Sequence, residues 1–139
     1  MSPHSNNVYN HYQESNVALS SPEGLIVLLY AEFLCCLVLA KEAFMADDKL
    51  TKNKNVTKSV EILVELMRSL NTEKGGQVAL SLAFLYKYIA QKLLLLRGNP
   101  TLELFDEVIK LITPLKEAWE TIAIPSPSLP LQNPFPDGQ

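Results

Sequence analysis

The sequence predicts an all-α protein, an antiparallel up-and-down four-helix bundle. Leu, Ala, Lys and Glu are plentiful, whereas Gly and β-branched residues are sparse, a helix-favouring composition. Apolar residues recur at steps of three and four in separate stretches, and no stretch alternates at period two. The connections between those stretches are short and carry turn chemistry. At 139 residues the chain is read as one domain with room for a real core. Its net charge of −3 argues against a nucleic-acid footprint.

Residues 1–20 are polar, with Asn6, Asn7, Asn10 and Asn16, and show no helical period. They read as a mobile N-terminal segment whose apolar handles are Val8, Tyr9, Tyr12 and Val17. The first helix is expected from Ser21 to Ala46. Ser21 can cap it, Pro22 suits the first helical position, and Ser20 with Glu23 has capping-box spacing. From Leu25 to Ala40 only Glu32 is charged, so this helix has no wide polar face. Such a helix is buried all round, spans a membrane, or keeps one face for a partner. The apolar run is about 16 residues with Glu32 inside it, short of the roughly 20 that a span needs. No basic region precedes it, so it does not read as a signal peptide. The expectation is a core helix with a partner-binding face.

Asp47 to Asn55 reads as a solvated turn. The second helix shows Val56, Val60, Leu63, Met67 and Leu70 in heptad steps, widened by Ile62 and Leu66, with Glu61, Glu65 and Arg68 outside. Asn71 to Gly76 breaks the pattern with paired glycines. The third helix repeats the heptad through Ala79, Leu82, Tyr86, Ile89, Leu93 and Leu96. A second stripe, Phe84, Tyr88 and Leu95, lies on another face. Helices one and three thus carry more apolar surface than one seam needs, which marks an interaction site or a central helix pair. Thr101 can cap the fourth helix, with Leu104, Val108, Leu111, Leu115, Ala118 and Ile122 inward and Pro114 out of place within it. The bundle is placed at 21–124. Five prolines make 125–139 an extended or disordered tail.

Chemistry is hard to find. His4 and His11 both lie in the N-terminal segment, and no E-x-x-H pair exists for a di-iron site. Two cysteines, Cys35 and Cys36, are too few for zinc and read as small buried hydrophobes in a reducing compartment. No phosphate loop or dinucleotide fingerprint occurs. Glu32 is the single charge within an apolar stretch, and it lacks a titratable partner nearby in sequence. The reading is therefore of a non-enzyme with no catalytic residue, cofactor or metal.

Several motifs, in order from about Asn10 to Ile122, resemble one family. N-x-Y-x-x-x-x-V-x-x-x-S-P appears as Asn10, Tyr12, Val17, Ser21 and Pro22, and P-x-x-L-I-x-x-L-Y as Pro22, Leu25, Ile26, Leu29 and Tyr30. A D-x-E-x-G-G turn leading to L-Y-x-Y appears as Asn71, Glu73, Gly75, Gly76, Leu85, Tyr86 and Tyr88. The last helix shows E-V-x-x-L-x-x-x-L-+-x-A-W as Glu107, Val108, Leu111, Leu115, Lys116, Ala118 and Trp119. The chain thereby resembles the flagellin-specific export chaperones of the bacterial flagellar type III secretion system. It departs from them at Ala31-Glu32-Phe33, Asn71, Arg97, Pro114 and the proline-rich extension.

The resemblance implies a cytoplasmic four-helix bundle without enzymatic activity. Such chaperones bind the disordered C-terminal segment of flagellin along apolar grooves, block premature polymerisation, and present it to the export apparatus. Nucleic acid and membrane insertion are not expected. Partner-binding candidates are Tyr12, Ile26, Tyr30, Leu37, Ile62, Leu66 and Tyr88. The main alternative is a self-associating structural or adaptor subunit, a homodimer through the surplus faces without a flagellin client. A third is an enzyme built around Glu32.

Overall fold

The computed structural model describes residues 21–70 and 72–123. The expected N-terminal segment and proline-rich tail lie outside the described residues. Within them the chain forms α1 (Pro22–Met45), α2 (Lys49–Arg68), α3 (Thr72–Gly98) and α4 (Leu102–Ala123), with no strand.

The starts of α1 and α4 follow the caps read in the sequence. Ser21 caps α1, its hydroxyl accepting from Gly24 N at 2.9 Å, and Pro22 takes the first position. Thr101 caps α4 through Leu104 N at 3.1 Å. The start of α2 departs from expectation. Asp48 accepts from Thr51 N at 3.1 Å and begins the helix at Lys49, so Lys49 to Asn55 is helix and not turn. Those first turns are largely solvated, with no seam to announce them, and a single cap sets the boundary instead.

The four helices wrap in order around one core. α1 lies against α2 on one side and α4 on the other, and α3 closes the square against α2 and α4. Helices α1 and α3 are therefore a diagonal pair that meets only through side chains across the core, not a packed central pair. Antiparallel running of α1 and α4 brings Lys41 Nζ to Asp106 Oδ1 at 2.7 Å near one end. Near the other end, Trp119 and Ala123 pack on Val27 and Ala31.

The core holds Tyr30, Phe33 and Leu37 from α1, Val56, Leu63 and Leu66 from α2, Tyr86, Ile89, Leu93 and Leu96 from α3, and Phe105, Val108 and Ile112 from α4. Each large apolar side chain fully buried there contributes about 1.5–3 kcal/mol. Cys36 is buried as expected, and Cys35 is half-buried.

The inward face of α4 is rotated from the expected one. Val108 is buried, but Phe105 and Ile112 lead the core, Leu104, Leu111 and Leu115 flank it, and Ala118 and Ile122 are exposed. Two apolar arcs overlap on this helix, and the one that carries the bulkier Phe105 together with Ile112 points in. Pro114 does not interrupt α4, which runs through it. Pro114 and Lys110 are both exposed, so the carbonyl that loses its donor faces water. The break expected near the paired glycines sits within α3 at Gly76, whose φ of 55° and ψ of −130° leave the helical region.

Candidate functional site

Helix α3 presents two apolar faces. Tyr86, Ile89, Leu93 and Leu96 are buried. Leu80, Phe84, Tyr88 and Leu95 fall within roughly 80° of one another, at about 100° per residue, on the opposite side. That outer stripe is open: Phe84 is 73% exposed, Leu94 beside it 67%, and Leu80 and Leu95 46% each. Apolar side chains so aligned and so exposed are what a partner-binding face requires.

At the α4 edge of the stripe, the Tyr88 hydroxyl donates to Glu107 Oε2. Lys92 Nζ lies 3.8 Å from Glu107 Oε1 and 4.9 Å from the centroid of the Tyr88 ring. These contacts fix the Tyr88 ring on the stripe, where the residue is 40% exposed.

A second feature lies at the end of the bundle where α1 begins and α4 finishes. Ile26, Ser69 and Trp119 are shared by two adjoining hollows. One, of about 460 Å³, extends over Leu25, Leu29, Glu65 and Arg68. The other, of about 220 Å³, runs between Leu70, Val78, Leu82 and Tyr86. Beneath them the Tyr30 and Tyr86 hydroxyls bond to each other across the core, linking the diagonal helices. Burial raises the pKa of both phenols; at Tyr86 the neighbouring Tyr30 adds to the rise.

Of the residues nominated from sequence, Tyr88 lies on the open stripe and Ile26 lines both hollows. Ile62 is half-buried against the core. Tyr30, Leu37 and Leu66 are wholly buried, with 0% exposure each, and so form the floor of the bundle instead of its surface. The near-uniform apolarity of α1 gives no phase by which sequence could separate its core side from an open one. Tyr12 lies outside the described residues. Phe84, visible in the sequence as part of a second stripe, is the most exposed aromatic among the described residues and is not among those candidates; subtracting the heptad seam of α3 leaves it outside. The Ala31-Glu32-Phe33 departure falls largely on the core, since Ala31 and Phe33 are buried.

No group of three His, Cys, Asp or Glu suited to a metal occurs among the described residues. By length and composition α1 and the Gly75–Gly98 part of α3 are long and apolar enough to cross a membrane; here both pack in one four-helix bundle.

The family model for flagellar protein FliS matches residues 5–126. The chain belongs to the FliS family. A Campylobacter jejuni protein named flagellar secretion chaperone FliS is 33% identical over 117 residues, covering 84% of this chain and 91% of its own. The protein of that name from Salmonella typhimurium is 32% identical over 111 residues, with coverage of 79% and 82%. That of Bacillus subtilis is 29% identical over 114 residues, with coverage of 82% and 84%. The FliS match spans all four helices, and an export-chaperone role follows from it. The all-α bundle expected from sequence is the one observed.

Proposed function

We propose that this chain is a cytoplasmic export chaperone that binds the disordered C-terminal segment of flagellin, prevents its premature polymerisation, and delivers it to the flagellar type III export apparatus. The observation that carries the reading is the outer face of α3, where Leu80, Phe84, Tyr88, Leu94 and Leu95 stand exposed in one strip. Ordering a disordered client costs several kcal/mol, and a long apolar strip supplies contact area to offset it. Helix-in-groove recognition uses such strips, read by anchors at steps of three and four. Membership of a family whose relatives are named secretion chaperones supports the same reading.

The test is a titration of labelled flagellin C-terminal peptide against the full chain, with filament assembly followed in parallel. Submicromolar to micromolar binding that delays assembly is expected, weakened in Phe84→Ser at unchanged folding. A chain that self-associates through this face and ignores the peptide would favour the structural-subunit alternative.

A further inference from the structure

The outer face of α3 combines apolar exposure with charge of one sign. From Gly75 to Gly98 the chain carries Lys87, Lys92 and Arg97 and no Asp or Glu, within a molecule of net charge −3. Lys92 is held by Glu107, and Arg97 lines a hollow at the far end of the bundle. Lys87 is exposed and makes no ion pair or hydrogen bond with another described residue. At about 100° per residue it projects between the directions of Leu94 and Leu80. Its ammonium therefore stands within the arc of the strip, where the exposed Gln91 also projects, between Leu80 and Phe84.

We propose that this face takes an amphipathic helical segment of a partner polypeptide whose apolar stripe is interrupted by a carboxylate opposite Lys87. The proposal rests on the reading of α3 as a client-docking face and adds the chemistry of what docks. An apolar partner laid over the strip strips water from Lys87, and an uncompensated ammonium is costly to desolvate. A carboxylate at that point offsets the loss and fixes the register of the docked segment. A cationic segment of the same apolar pattern is repelled.

The alternatives fit less well. An anionic membrane surface would meet Glu107 at the Tyr88 edge of the same strip. A second copy docked about a twofold axis near the strip's centre would set Lys87 against its own counterpart.

Two labelled amphipathic peptides, identical but for Glu or Gln at the position facing Lys87, would be titrated against the full chain by fluorescence anisotropy at low and high salt. The Glu peptide should bind roughly two- to fivefold more tightly, as a partly exposed charge pair does, with the advantage fading in salt. Lys87→Glu should abolish that preference and favour a third peptide bearing Lys. Phe84→Ser should weaken all of them while the denaturation midpoint holds. Equal affinity of the Glu and Gln peptides would overturn the proposal. So would a dimer that Phe84→Ser dissociates, or phosphatidylglycerol vesicles that bind through Phe84 and are not displaced by peptide. Flagellin peptide run on the same variants separates the two readings. Flagellin binding that ignores both substitutions sinks the acidic-segment proposal and leaves the chaperone role. Acidic-peptide binding without flagellin binding does the reverse.

Discussion

Lys52 shows how a single side chain holds two helices together. It is 2% exposed, and its Nζ donates to Leu96 O at 2.6 Å and Arg97 O at 3.1 Å. Those are carbonyls of the last turn of α3, which have no partner within their own helix. A cation there also meets the negative end of the helix dipole. Lys52→Ala should cost about 1–3 kcal/mol by leaving these carbonyls unsatisfied, read as a fall in the urea midpoint with an unchanged slope. The tyrosine pair makes a second residue-scale prediction. Burial raises the pKa of Tyr30 and Tyr86 above 10.0, and that of Cys36 from 9.0 to about 11. The fold keeps protons that the unfolded chain releases, so stability from these groups is complete below about pH 9 and lost as pH rises beyond it. Cys35 shifts the same way, by burial and the nearby Glu32; Lys52, whose pKa is lowered from 10.5 by burial and by Lys49 and Arg97, works in the opposite sense, one base against four acids. The thermal midpoint should therefore fall above pH 9, less steeply in Tyr86→Phe, and Cys36 should resist thiol reagents at pH 8 until the chain unfolds.

At the scale of the element, Gly76 and Pro114 look alike in sequence, as breakers beside helical pattern, but they behave oppositely. The φ of 55° at Gly76 is a conformation that side-chain-bearing residues adopt only under strain. Gly76→Ala should cost about 1–3 kcal/mol. Pro114 is exposed on a continuous helix, so Pro114→Ala should raise the melting temperature by restoring a hydrogen bond. Circular dichroism melts of the two variants, shifted in opposite directions, check both. The helices, the Ser21 and Thr101 caps and the α3 seam were legible because each is local: a cap needs three residues and a seam needs periodicity. The start of α2 hung on one aspartate, and the facing of α4 on the relative bulk of Phe105 against its neighbours, which only packing decides. The same holds for the site. The stripe through Tyr88 could be separated from the α3 seam by angle, whereas Tyr30 and Leu37 on a helix apolar all round could not be sorted into surface and core until α2 and α4 covered them.

For the whole molecule, apolar residues divide into those that hold the bundle and those that stand free of it. Leu93→Ala empties a fully buried site and should cost about 2–5 kcal/mol. Phe84→Ser, on the open strip, should leave the denaturation midpoint nearly unchanged, lower retention on a hydrophobic column and weaken client binding. Swapped outcomes would mean that α3 is turned the other way. The placement of α1 between α2 and α4 also has a consequence during synthesis. α1 is the first of the four helices to emerge from the ribosome, and among the described residues its Val27 and Ala31 side packs against Trp119 and Ala123 of α4, close to the end of that helix. Until α4 is made, that flank stays open to other chains, and a nascent chain stalled after Gly98 should be captured by holdase chaperones and cut rapidly by protease, while one extended past Ala123 closes on itself.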